Sequence, residues 1–592
     1  MPASTIRESS PSVGADWVLA KGSRDFKGDG PIAASAAGYD VVLLRRRGGL
    51  RAYEGRCPHQ GALLGEGEID GAALVCRNHR WRFDVDSGAR IGGGACLRAC
   101  PVKEEGGEVL VDVSALRSSL EQAAPPAKVR RISDLPGPRG LPLLGNSLSL
   151  DPNRLHLVLE RWASEYGPAY LVRLGRLPIV VVSDPEVTQP LFRERPDTYR
   201  RVSVVEAVFE EMRIHGLFSA EGPAWRPQRR LAMEALSQRN LRAFYPMLAR
   251  TAERLHARWS RAALQGRVLD LNDELKRFTV DVTTQLVLGH DINTIERADD
   301  DVIQRDLEQV FPALNRRINA VFPYWRYVKL PADYRLDRAL ASLKEWLDGR
   351  IREARERLDA DPSRAEQPGN FIESMLVSRD ESGQPFSNEA LFANAMTMLL
   401  AGEDTTAYTL SWAVHHMCEE PGPRAALRAE ADRVLGQDRV PATMEKVDEL
   451  TYAAAAANEA MRLRNIAPLM FFEPLREVMV GDVAVSPGVG IVALMRVPTS
   501  DERRFTDAQA FRPERWITPP PAHDASVHRP FGSGPRMCPG RTLALVEMRI
   551  VLATLYKAFD VERVGRAADV EERTSFTMTP VGVRVRLRPR AA

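Results

Sequence analysis

A chain of 592 residues is too long for one ordinary domain. Its 44% hydrophobic and 27% charged residues are a globular composition, and a net charge of +2 gives no reason to expect nucleic acid as a partner. Six cysteines in so long a chain exclude a disulfide scaffold, and no apolar run reaches the roughly 18 residues a membrane span requires.

The N-terminus, M-P-A-S-T-I-R-E-S-S, has no apolar core and does not read as a signal peptide, so a cytoplasmic protein is expected. Residues 1–113 read as a first domain of short strands and turns. Val41 to Leu44 is an apolar run, and Val109 to Val113 alternates. Between them lie C-P-H-Q-G and C-R-N-H, which place Cys57 and His59 sixteen residues before Cys76 and His79. Two such loops can meet at one inorganic site. A C-x-H pair wraps poorly around a single tetrahedral ion, although a structural zinc site is the rival reading. It suits two irons, with both cysteines on one and both histidines on the other. The spacing, with W-R-F-D-V-D-S-G following at Trp81 to Gly88, resembles the Rieske [2Fe–2S] proteins.

That resemblance implies cluster ligation by Cys57, His59, Cys76 and His79. Where high-potential relatives carry an extra cysteine in each loop, this chain has Ala62 and Asn78; where they carry hydroxyl donors, it has Trp81 and Phe83. Fewer hydrogen bonds to the sulfurs imply a low potential, of the ferredoxin and ring-oxygenase type. Arg80 stands where a glycine is usual and adds positive charge near the cluster. Cys96 and Cys100 read as small packed residues rather than ligands. Residues 114–133 mix alanine, serine, a Pro-Pro pair and basic residues, which is linker composition.

The second domain is expected over 134–592, helix-rich with a few strand-like runs such as Ile179 to Val182. The proline-rich L-P-G-P-R-G-L-P-L-L, Leu135 to Leu144, leads into it. Trp225 and Arg229 lie four apart and share a helix face. Ser387 is a suitable N-cap for a long helix running to about Glu419. Its middle reads A-G-E-D-T-T, Ala401 to Thr406. Gly402 there removes bulk for a ligand, Thr405 can bond back to the Ala401 carbonyl, and Asp404 beside Thr405 is an acid and alcohol pair suited to moving protons. His415 and His416 follow on the same helix as ordinary residues. Glu459 and Arg462 in E-A-M-R form an ion pair on one helix face, and F-R-P-E-R-W offers Arg515 as a third member.

Toward the C-terminal end stands F-G-S-G-P-R-M-C-P-G-R-T-L-A, Phe531 to Ala544, a glycine-bearing loop that turns helical at Arg541. A thiol at such a junction has its pKa lowered by the helix N-terminus. Gly532 and Gly534 let the backbone approach a flat ligand, Arg536 can neutralise an acid on it, and Phe531 can cover the sulfur. These are the needs of a haem iron held by a thiolate. The stretch resembles the haem-binding loop F-x-x-G-x-R-x-C-x-G of the cytochrome P450 enzymes.

The two resemblances together imply a multidomain chain, an all-β Rieske domain followed by a mainly-α cytochrome P450 fold with small β-sheets. Haem b on Cys538 and a [2Fe–2S] cluster are the implied cofactors. Trp225, Arg229, Phe531 and Arg536 are implied to contact the haem, and Glu459, Arg462 and Arg515 to lock the haem-bearing core. Relatives often carry an arginine near position 472; Phe472 there leaves propionate contact to Trp225, Arg229 and Arg536, and lets Leu469 to Phe472 wall an apolar pocket. The implied activity is insertion of one atom of O2 into an apolar small molecule, with Asp404 and Thr405 delivering protons. No G-x-G-x-x-G stands in a strand–turn–helix setting, so an external NAD(P)H-dependent flavoprotein reductase is the expected electron source. A redox or gas sensor has no use for the A-G-E-D-T-T relay, and a peroxide-driven haem enzyme has none for a fused electron donor.

Overall fold

The computed structural model describes residues 17–22, 30–37, 39–46, 49–58, 61–77, 80–117, 129–297, 302–320, 322–380, 383–517 and 523–590. It divides into two compact units, residues 1–129 with 189–198 and 532–537, and the remainder.

The first unit is built of strands. Trp17–Gly22 (β1), Ile32–Ala36 (β2), Tyr39–Arg46 (β3), Gly49–Glu54 (β4), Glu68–Asp70 (β5), Ala73–Val75 (β6), Arg82–Asp84 (β7), Ala99–Cys100 (β8), Val102–Glu105 (β9) and Glu108–Asp112 (β10) form three small sheets. Their orders are β2-β3-β4-β8, β1-β10-β9 and β5-β6-β7. The apolar run Val41 to Leu44 is buried at every position because β3 lies inside its sheet. The alternation at 109–111 is that of β10, with Val109 and Val111 buried and Leu110 between them half-buried. One apolar core joins Val41, Leu43, Val109 and Val111. A second surrounds Cys57 and Cys76 with Leu64, Leu74 and Phe83.

The second unit carries a five-stranded sheet made of Ala169–Leu174 (β11), Leu177–Val182 (β12), Tyr199–Arg200 (β13), Leu469–Pro474 (β14) and Gly490–Leu494 (β15), in the order β11-β12-β15-β14-β13. Of its many helices, five position the site: Trp225–Ala235 (α1), Leu271–Leu288 (α2), Asn388–Glu419 (α3), Thr451–Leu463 (α4) and Arg541–Ala558 (α5). Helix α3 starts where its cap is, the Ser387 hydroxyl accepting the Ala390 N–H at 3.2 Å. It is buried along most of its length and spans about 48 Å at ~1.5 Å per residue. Residues of α2, α3, α4 and α5 meet in one apolar cluster. A two-stranded hairpin, Glu571–Thr574 (β16) and Met578–Val581 (β17), lies against α3, where Met578, Tyr408 and Trp412 share a small core.

Both ends of the stretch read as linker are ordered. Leu116 is buried within a helical turn, Ser114–Arg117. Arg130–Arg131 forms a strand that pairs in parallel with Val483–Val485, and the Arg130 guanidinium grips Asp482 through two bonds of 2.7 Å. Residues 118–128 lie outside the described residues.

Candidate functional site

The two cysteine loops of the first unit close in the same way. The N–H of Cys57 donates to the Ala62 carbonyl, and the N–H of Gly61 donates back to Cys57. In the second loop the N–H of Cys76 donates to Trp81 and the N–H of Arg80 donates back to Cys76, with all four bonds between 2.8 and 3.0 Å. The fourth residue after each cysteine is left-handed, Gly61 at φ +70° and Arg80 at φ +58°. Arg80 thus adopts, at a cost, the conformation a glycine takes freely. Its charge is shared with Glu68 in an exposed ion pair of 2.5 Å, which moderates the positive field that Arg80 alone would supply.

Cys57 and Cys76 are 2% and 1% exposed and share one apolar cluster. Trp81 and Phe83 bring rings rather than hydroxyls to that cluster, their centroids 6.3 Å apart. The hydroxyl of Tyr53, also in it, is directed to the carbonyls of Val85 and Asp86. His59 and His79, with Asn78, lie outside the described residues. Cys100 is packed and its thiol is pushed up to about 11 by burial. Cys96 corrects the expectation of a packed residue: it is exposed, because it follows three left-handed glycines, Gly92 to Gly94, that carry the chain to the surface.

In the second unit Cys538 stands three residues before α5, and its N–H donates to the Phe531 carbonyl at 2.9 Å. The side chain is exposed, yet burial pushes the thiol up against the opposing backbone N–H bonds of Gly540 and Arg541 and the charge of Arg229. The expected lowering of this pKa is therefore reversed, because loss of water outweighs the helix N-terminus. Phe531 packs against the main core, with the Arg541 guanidinium 5.9 Å from its ring centre. Trp225 and Arg229 lie on α1, 2% and 4% exposed. Arg536 is half-buried in the loop. Arg529, passed over in the sequence, is 7% exposed just before Phe531; burial lowers its pKa to about 10 while Asp524 opposes.

The glycines also do structural work. A Cβ on Gly534 would lie 2.1 Å from the Phe192 carbonyl oxygen, and both Gly532 and Gly534 are left-handed, at φ +70° and +71°. A Cβ on Gly402 would lie 2.4 Å from Oγ1 of Thr283 on α2. Gly402 therefore lets two helices approach. Thr405 does bond back, its Oγ1 donating to the Ala401 carbonyl at 2.9 Å, and in this mid-helix turn of α3 Ala401 is exposed and Thr405 half-buried. Asp404 is buried and ion-paired at 2.9 Å to Lys276 of α2. Lys276 has no motif around it and was not legible. His415 is pushed down to about 4 and His416 well below its usual value by burial, so both pack as neutral rings.

Glu459 gathers five donors, one of them the Arg512 backbone N–H at 3.0 Å. Arg462 grips it with two bonds of 2.8 and 2.9 Å, Arg515 adds Nε at 2.9 Å, and Trp516 adds its indole N–H at 2.9 Å. Arg462 goes on to the carbonyls of Thr499 and Ala508, and Arg515 to Thr506 and Asp507. The meander 499–516 is thus tied to α4 by one carboxylate. Phe472 is buried on β14, and Leu469 packs in the core beside that sheet.

Residues that fit a haem are present: an accessible thiol in a desolvated place, backbone N–H groups on its sulfur, and the buried Arg229 charge acting on it. Comparison with protein families matches the cytochrome P450 model over residues 135–587. The chain belongs to the cytochrome P450 family. The Rieske [2Fe-2S] domain model matches residues 16–101. The cytochrome P450 domain carries haem on a cysteine thiolate, and the Rieske domain carries a two-iron cluster. Relatives include Protein LUTEIN DEFICIENT 5, chloroplastic, of Arabidopsis thaliana, 25% identical over 70% of each chain. The Bifunctional cytochrome P450/NADPH--P450 reductase of Gibberella moniliformis is 26% identical over 77% of this chain, which spans 40% of that relative. The mouse 25-hydroxyvitamin D-1 alpha hydroxylase, mitochondrial, is 26% identical over 78% of this chain and 94% of its own. The protein is an oxidoreductase that incorporates oxygen. Among the described residues, no helix is long and apolar enough to cross a membrane.

Proposed function

We propose that the chain is a cytochrome P450 monooxygenase that inserts one oxygen atom into an apolar organic substrate and receives its electrons through its own Rieske cluster. The observation that supports this reading is the matching of both families in one chain. Cys538 would hold the haem iron, and Cys57, His59, Cys76 and His79 the cluster. When bound, the haem supplies the activation of O2, and thiolate ligation favours O–O cleavage. Arg229 and Arg536 would neutralise its acid groups, and Trp225 would donate its indole N–H to one of them. Arg529 joins them as a buried cation close in sequence to Phe531.

Thr405 and Asp404 hold and move the protons. Thr405 keeps its hydroxyl on the helix through Ala401, and Asp404 is steadied by Lys276. Leu469 to Phe472 would give the substrate an apolar wall. The cluster accepts single electrons whereas NAD(P)H gives a hydride, so a flavin must stand between them. A separate NAD(P)H-dependent flavoprotein reductase is the proposed partner, and the cytoplasm the proposed location.

The test is a reconstituted turnover with such a reductase. Wild-type protein should show the red-shifted carbon-monoxide band of thiolate ligation, and Cys538→Ser should lose it. His79→Ala should keep that band and peroxide-driven turnover but lose reductase-driven turnover. Unchanged reductase-driven turnover in His79→Ala overturns the donor role of the first domain.

A further inference from the structure

Helix α3 carries a second acid that the acid and alcohol pair does not account for. Glu403 is 2% exposed, and neither of its carboxylate oxygens has a hydrogen-bond partner among the described residues. A buried carboxyl without partners costs free energy and calls for an explanation. It lies on the wall of a cavity of about 80 Å³, shared with Asp404, Lys276, Glu308, Tyr408 and Thr579. A polar space of this size has room for more than one water.

The charged groups around it come from three places. From α2, Lys276 puts its Nζ 2.9 Å from Asp404 and 4.0 Å from Glu308. Glu308, following the helix Val302–Leu307, is exposed and stands at the mouth. From α3 itself, Tyr408 lies under the Lys276 ammonium, 5.3 Å from ring centre to Nζ. The β16–β17 hairpin adds only the hydroxyls of Ser575 and Thr579. Three carboxyls thus face one cation. Burial, with the Asp404 charge, drives Glu403 toward its neutral form, and Lys276 opposes this. Successive residues of a helix are turned by about 100°. Asp404 therefore stands between Glu403, on the cavity, and Thr405, half-buried on the same turn.

We propose that Glu403 is the proton store that recharges Asp404 in turnover, supplied from solvent at Glu308 through this cavity. The proposal rests on the monooxygenase reading. When Thr405 draws a proton, the O–H bond of Glu403 breaks and an O–H bond forms on the Asp404 carboxylate, directly or through one cavity water, and Asp404 then gives that proton on toward Thr405 and returns to its pair with Lys276. The Glu403 carboxylate then takes a proton from the water path that opens at Glu308. One proton enters for each one used, no electron moves, and Lys276 keeps its charge throughout. Glu403 acts only through Asp404.

Glu403→Gln keeps the shape and cannot give a proton. Infrared spectra of the resting holoenzyme at neutral pH should show a neutral carboxylic acid band, shifted in D2O, that Glu403→Gln lacks. In turnover with reductase, product per NAD(P)H should fall severalfold in Glu403→Gln and recover in part in Glu403→Asp. The fall of coupling with rising pH in wild type should flatten in the glutamine variant. If Glu403→Gln does not fold, Glu308→Gln at the exposed mouth serves instead, with an enlarged solvent isotope effect on turnover expected. Absence of the acid band overturns the store whatever the turnover shows. Product from wild type with unchanged coupling in Glu403→Gln overturns the relay alone. Absence of product from wild type, with the band in place, overturns the monooxygenase reading and the relay with it.

Discussion

Arg80 shows how a single position can carry both strain and charge. Holding an arginine left-handed costs about 1–2 kcal/mol, and its exposed pair with Glu68 returns about 0–1 kcal/mol. Arg80→Gly should therefore raise the melting temperature of the first domain by a few degrees, read by calorimetry on cluster-loaded protein. Glu547 on α5 is a second instructive residue. Burial pushes it up to about 8, opposed by a hydrogen bond with Thr406 of α3. Between the ordinary value of 4.5 and about 8 the folded chain keeps a proton that the unfolded chain has released. Stability from this group is present below that window and lost as pH rises through it. Glu547→Gln has no proton to lose, so it should melt higher than wild type at pH ~9 while matching it at pH ~5.

At the scale of elements, the approach of α2 to α3 decides the middle of α3. Gly402 is where Thr283 of α2 comes closest. Gly402→Ala should destabilise by about 1–3 kcal/mol through overpacking. Thr283→Ala, which removes the offending Oγ1 and Cγ2, should recover most of that loss when the two are combined. A double-mutant cycle in urea measures the coupling. A glycine kept for a ligand would show no such rescue. The same contact sets Lys276 against Asp404, so the helix pair that excludes a Cβ also builds the cavity beside Glu403.

For the whole molecule, the question is what joining the two domains achieves. The first 113 residues hold fifteen Lys or Arg and fifteen Asp or Glu, so net charge provides little long-range steering. On the proposed relay, a tether the length of residues 114–133 would instead supply a local donor concentration in the millimolar range. Electron transfer from cluster to haem should thus be first order and insensitive to dilution, as stopped-flow absorbance would show. Cleavage within 118–128 should make it second order and much slower at micromolar protein. Equal rates for separated and joined domains would remove this account of the fusion.

What the sequence determined by itself is the chemistry held in short, local patterns. The closing of the Cys57 and Cys76 loops, the Cys538 loop, the Ser387 cap and the E-x-x-R pair were legible because their residues lie within a few positions of one another and one helix turn or one loop brings them together. Even the strand at Val41 to Leu44 follows from a run apolar on both faces. Tertiary structure alone decided what required two distant segments. Trp516 on Glu459, Lys276 on Asp404, Thr283 against Gly402 and Glu547 on Thr406 leave no mark in spacing, since nothing local forces those side chains to meet. The sign of the Cys538 shift belongs here too. A helix N-terminus is readable from sequence, but the burial that outweighs it is a property of everything packed around the sulfur.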